Sequence, residues 1–106
     1  MNDVEIRALE ERIMFLLKNI YDPEVPVNIY DLGLVYEIKS DAEGNVRILM
    51  TLTSPNCPVA ESLPTQVKEE VSFLKEVKEV DLELTFDPPW SQEMMSEEAK
   101  LELGFL

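Results

Sequence analysis

Histidine is absent from this chain of 106 residues. No Ser–His or Cys–His pair can therefore form within it, and no histidine-based zinc site. Catalysis by this chain alone would rest on a carboxylate, a lysine or an unassisted thiolate. Cysteine occurs once, at Cys57. An internal disulfide is excluded, and nothing points to an oxidising compartment. Basic residues are scarce: nine Lys and Arg face 22 Asp and Glu, for a net charge of −13. That balance repels phosphate backbones and anionic headgroups, which speaks against nucleic acid and membranes as partners. A basic protein or a cation fits the charge better. The same acidity also serves simply to keep a small protein soluble. No apolar run approaches the roughly 18 residues of a membrane-spanning helix. The start, MNDVEIRALEERI, lacks the basic region and apolar block of a secretory signal. The cytoplasm is the expected location.

What is present suffices for one domain over residues 1–106. Hydrophobic residues make up 45% of the chain, enough for a core. Ile6, Leu9, Ile13, Leu16, Leu17 and Ile20 recur at mostly three- and four-residue spacing, which predicts a helix over residues 3–20. Asn2 or Asp3 can cap it, and Pro23 cannot extend it. The segment DPEVPVNIYDLGLV mixes breakers with apolar anchors and reads as an ordered loop. Strands follow over Leu34–Lys39 and Val46–Thr53, joined by SDAEGN as a hairpin. Val59, Leu63, Val67, Val71 and Leu74 predict a second helix. Pro64 either kinks it or separates a short first piece. Val80, Leu82, Leu84 and Phe86 alternate as a third strand. Ser96, Glu97, Glu98 and Gly104 frame a short final helix. The expected fold is a two-layer α+β domain: a three-stranded sheet, made of an N-terminal hairpin plus a later strand, packed with helices.

Three places carry candidate chemistry. Cys57 lies between a strand end and a helix start, and Pro58 suits the first helical position. The partial positive charge of a helix N-terminus favours thiolate over thiol. Against this, a lone cysteine is often a small buried hydrophobe, Asn56 and Pro58 can make a turn around any residue, and the negative field of the chain, with Glu61 close in sequence, opposes the thiolate. The residues alone leave a reactive and a structural Cys57 equally open. Asp22, Glu24 and Asp31 can converge on a cation or a partner. They can also be turn and capping residues, the better reading for Asp22 before Pro23. Trp90, after two prolines, is either a partner anchor or a plug at the core's edge, with the plug slightly favoured.

Taken together, DPEVPVNIYDLGLVYEI, MTLTSPNCPVAESL, DPPW and MMSEEAKLELG resemble the metal–sulfur cluster biosynthesis family typified by SufT and PaaD. Four motifs occur in order, from about residue 5 to the last residue. The resemblance implies a small α+β domain that serves iron–sulfur cluster assembly or delivery. The family's characteristic positions fall on Asp22, Pro23, Glu24, Asp31, Leu32, Gly33, Thr53, Cys57 and Pro58. The family cysteine is regarded as its functional residue, which moves the weight at Cys57 towards reactive. PaaD-like relatives carry further C-terminal cysteines that this sequence lacks, so the general assembly role is expected.

A conventional cluster takes about four thiolates, and one chain offers one. The openings are a homodimer using two Cys57 thiolates with other ligands, a cluster shared with a partner, or no cluster. The expected cofactor is thus at most a transient iron–sulfur cluster. The expected partners are assembly proteins and client apoproteins. Cys57 is expected to be a transient ligand or contact, with Asp22, Glu24 or Asp31 supplying an oxygen or orienting the thiol. The alternative is a non-catalytic adaptor that joins an assembly scaffold to clients, with Cys57 incidental. A thiol enzyme ranks last, because it would lack a histidine base and a second cysteine.

Overall fold

The computed structural model describes residues 1–21, 26–53 and 62–104. The first helix, α1, spans Asp3–Leu17 and is capped by Asn2. The Asn2 side chain accepts the Glu5 backbone N–H at 2.8 Å, and the Glu5 carboxylate accepts the Asn2 N–H at 3.2 Å. This reciprocal pair satisfies two N–H groups that have no partner inside the helix. Leu9, Ile13 and Leu17 line its buried face. The helix stops three residues short of the expected Ile20. The reason is that the Ile20 carbonyl accepts the Ile29 N–H at 2.8 Å, beside a bridge between Tyr21 and Asn28. Ile20 is buried, as the periodicity implies, but its N–H donates to the Leu17 carbonyl at 3.2 Å in a tighter turn while its carbonyl serves the next segment.

Strand β1 spans Val35–Ser40 and β2 spans Asn45–Met50, and they pair antiparallel as the expected hairpin. Tyr36 has no counterpart in the ladder, because the register shifts between Val35 and Glu37. Val46, Ile48 and Met50 point into the core, while Arg47 is exposed. Alternation continues to Leu52, yet β2 ends at Met50. Thr51 instead donates its N–H to Leu34 at 2.8 Å, and Thr51 and Leu52 are both buried. Helix α2 is described over Ser62–Ser72 and buries Leu63, Val67 and Val71. Pro64 is the third described residue of α2, and the helix runs without a break from there to Ser72. Val59 lies outside the described residues.

Strand β3 spans Glu79–Leu84 and joins β2 in parallel, so the order is β1-β2-β3 in a mixed sheet. Phe86 is not part of it and is exposed. The crossover through α2 is what permits parallel pairing. Helix α1 packs on β1 and α2 packs on β3, which gives the two-layer α+β arrangement. After a short 3-10 turn at Gln92–Met94, α3 runs over Glu97–Glu102. The Ser96 side chain caps α3 by accepting the Ala99 N–H at 3.2 Å. Met95 and Ala99 enter the same core as α1, α2 and the sheet.

Candidate functional site

The turn between Asn28 and Leu34 is built on one pair of side chains. Asn28 Oδ1 accepts the Asp31 backbone N–H, and Asn28 Nδ2 donates to Asp31 Oδ2, each at 2.8 Å. The backbone closes through Leu32 N–H to Asn28 O at 3.0 Å and Gly33 N–H to Tyr30 O at 3.1 Å. Gly33 then takes φ of +88°, which costs an L side chain strain. A Cβ there would lie 2.5 Å from the Met94 carbonyl oxygen, so the position is closed to larger residues on two grounds.

This turn gathers distant parts of the chain. The Asp31 carbonyl accepts the Ser96 N–H at 2.8 Å and so ties it to the cap of α3. The Leu32 carbonyl accepts the Trp90 indole N–H at 2.8 Å. The Leu34 carbonyl accepts the Thr51 N–H and so ties it to the chain just beyond β2. Next to it, Tyr36 donates its hydroxyl to the Pro88 carbonyl at 2.8 Å. Between these contacts runs a groove of about 690 Å³, with Val35, Leu49 and Met94 as apolar lining and Asp31 and Asp87 as its charges.

Of the residues proposed from sequence, Asp31, Leu32, Gly33, Thr53 and Trp90 are described. The first three form the turn. Thr53 is exposed, two residues past the Leu34–Thr51 hydrogen bond. Trp90 is half-buried, packs against the core and commits its N–H to Leu32. The Asp31 carboxylate accepts a hydrogen bond from the Asn28 side-chain amide. Asp22, Pro23, Glu24, Cys57 and Pro58 lie outside the described residues, so the convergence of Asp22 and Glu24 with Asp31 lies there too. Among the described residues, no group of three or more Cys, Asp or Glu is placed to hold a metal ion. Asn28 and Tyr36 have no place in the sequence expectations, and Ser96 stands there only as the cap of the last helix. Asn28 had a signal, because an Asn three residues before an Asp is the spacing of a side-chain-capped turn. Ser96 and Tyr36 act over long sequence separations, which no local pattern reveals.

The described molecule is thus an α+β scaffold whose tightly bonded turn and β2 exit meet at one end of the sheet. A model of the family described as iron–sulfur cluster assembly protein matches residues 10–82, and the chain belongs to that family. It is similar to an Fe-S protein maturation auxiliary factor of Porphyromonas gingivalis. The identity is 52% over 102 residues, covering 96% of this chain and 97% of that one. The Fe-S protein maturation auxiliary factor YitW of Bacillus subtilis is 43% identical over 97 residues, covering 92% and 95%. A solved domain of unknown function from Bacillus anthracis superposes with a TM-score of 0.91 at 39% identity, covering 99% of this chain and 100% of that one. The resemblance read from the motifs is borne out. The family match contains the Asn28–Leu34 turn and Cys57 and stops before Trp90.

Proposed function

We propose that this protein is an accessory factor in iron–sulfur cluster assembly or delivery to client proteins, and that Cys57 is the transient ligand or contact in handover. Its relatives carry names from iron–sulfur protein maturation. The observation that supports a site at Cys57 is the anchoring of its segment. On one side Thr51, six residues before Cys57, donates its N–H to the Leu34 carbonyl beside the Asn28–Leu34 turn, and on the other α2 is described from Ser62. A single thiol per chain suits brief contact with cargo. It does not suit permanent storage, since a cluster needs about four thiolates. The cluster is therefore cargo, completed by ligands of an assembly protein, a client or a second copy. The protein works in the cytoplasm and does not turn over a small substrate.

The test is complementation. Cells lacking the protein receive the wild type, Cys57→Ala or Trp90→Phe, and the activity of an iron–sulfur client enzyme is followed. Cys57→Ala is expected to fall to the level of empty vector while its folded protein persists, and Trp90→Phe to stay near wild type. Normal client maturation by Cys57→Ala would sink the handover reading and leave the adaptor. A second, chemical measurement is the pH dependence of Cys57 alkylation. An activated thiolate labels fast at neutral pH in the folded protein, with a curve shifted to lower pH than in denaturant.

A further inference from the structure

The two edges of the sheet are treated differently. The outer edge of β1 is blunted by the irregularity at Tyr36. It is also capped by the Glu10 carboxylate of α1, which accepts the Ser40 N–H at 2.8 Å. Arg7, Glu10 and Met14 flank the groove beside it. The outer edge of β3 has none of these devices. Its ladder with β2 is regular over Glu79–Leu84, and no described residue pairs with its other side. Such an edge presents a row of free N–H and C=O groups to an added strand.

The side chains of that edge specify what can add. Glu79, Asp81 and Glu83 are exposed and, being two apart, share the open face of the sheet. On the inner side, Arg47 of β2 stands opposite Asp81 and reaches Glu83 at 3.3 Å. The outer side has no cation in register. Around the strand's edge, Lys68 and Ser72 of α2 and Lys78 at the strand's start line a groove of about 660 Å³ together with Glu79, Val80 and Asp81. The same two α2 residues border Phe73, which is 86% exposed. A second copy fits poorly, because pairing β3 with β3 sets the acidic row against itself on two chains of net charge −13.

We propose that the outer edge of β3 docks an extended segment of a partner protein in which Lys or Arg alternates with apolar residues. Its basic side chains face Glu79, Asp81 and Glu83, and its apolar ones turn towards α2 and Phe73. The backbone ladder supplies affinity, and the acidic row selects the partner and excludes self-pairing. This surface uses no residue of the Cys57 segment or of the Asn28–Leu34 turn, so either reading can fail without the other.

The test uses the full chain and three capped eight-residue peptides at physiological salt. One alternates Lys with Val, one alternates Glu with Val, and one repeats the first with alternate amides N-methylated. The Lys–Val peptide is expected to shift and protect the β3 amides in NMR and hydrogen exchange. The N-methylated peptide keeps the charge but cannot extend the ladder, and it is expected to lose binding together with the Glu–Val peptide. Asp81→Lys with Glu83→Lys, both at exposed positions, is expected to weaken the Lys–Val peptide about tenfold, as opposed charges become like ones across the strands. Equal binding by the N-methylated peptide, perturbation mapping away from β3, or β3-mediated dimerisation of the protein alone would each overturn the proposal.

Discussion

Two turns of this protein are built on the same chemistry and have different consequences. At Asp41–Asn45 an aspartate accepts the backbone N–H groups of Glu43 and Asn45, each at 2.9 Å, and the Asn45 side-chain amide at 3.0 Å. At Asn28–Asp31 an asparagine side chain accepts the Asp31 backbone N–H and donates its amide to the Asp31 carboxylate. Each turn ends in a glycine at positive φ pressed against a distant backbone: Gly44 against Glu76, and Gly33 against Met94. The Asp41 turn closes the hairpin and meets two other parts of the chain: the Ala42 carbonyl accepts the Met1 amino group and the Gly44 carbonyl accepts the Lys78 N–H, each at 2.8 Å. The Asn28 turn holds Ser96, Trp90 and Thr51 at once. A capped turn is a local solution. Whether it organises a site depends on how many separate parts of the chain end on its carbonyls.

The largest expected effect separates folding from function across this pair. Gly33→Ala and Gly44→Ala each force an L residue to positive φ and drive a Cβ into a backbone carbonyl. Each is expected to cost about 3 kcal/mol in urea unfolding, combining backbone strain with overpacking. At matched levels of folded protein, Gly33→Ala is expected to impair client maturation severalfold and Gly44→Ala to leave it unchanged. Equal maturation by the two would dissolve the distinction between the turns.

The next effect is smaller. Trp90→Phe keeps most of the ring packing and removes the donor to the Leu32 carbonyl. A loss of about 1 to 2 kcal/mol is expected, the cost of leaving a buried acceptor without its partner. A change within experimental error would mean that water replaces the indole N–H and that Trp90 does not hold the turn.

Much of this architecture is legible in the sequence. The Leu9, Ile13 and Leu17 spacing marks α1, alternation from Val80 to Leu84 marks β3, and Ser96 with Gly104 frames α3. Those signals are local, and local hydrogen bonding and burial enforce them. The parallel placement of β3 beside β2 is not local, because the same alternation serves either direction. The end of β2 at Met50 is hidden for a related reason: Leu52 keeps the apolar period while the Leu34–Thr51 bond takes the backbone out of the ladder. At the candidate site, the motif picks out Asp31, Leu32 and Gly33 but leaves Asp31 between ligand and cap. The structure adds Asn28, whose side chain holds both the backbone N–H and the carboxylate of Asp31. Trp90 and Leu32 are separated by 58 residues, so their bond has no sequence signature.

The smallest expected effect sharpens the comparison from the Asp41 side. The Asn45 side-chain amide and then the Asn45 backbone N–H, with smaller help from the N–H groups of Glu43 and Gly44, hold the Asp41 carboxyl below its ordinary value of 3.8. A depressed folded-state pKa stabilises the protein above the unfolded value, and that contribution is lost as pH falls through the folded value. Asn45→Ala removes the first of these donors and keeps the backbone ones. In a carboxyl NMR titration, Asp41 of the variant is expected to move up towards the ordinary value without reaching it. The stability difference from wild type should be constant near neutrality and shrink below about pH 4, as Asp41 protonates in the unfolded chain and then in the folded one. Asp41 is fully exposed, so solvent keeps the effect small. A wild-type Asp41 that titrates at the ordinary value would show that its hydrogen bonds do not persist in solution, and the likeness between the two turns would then stop at their glycines.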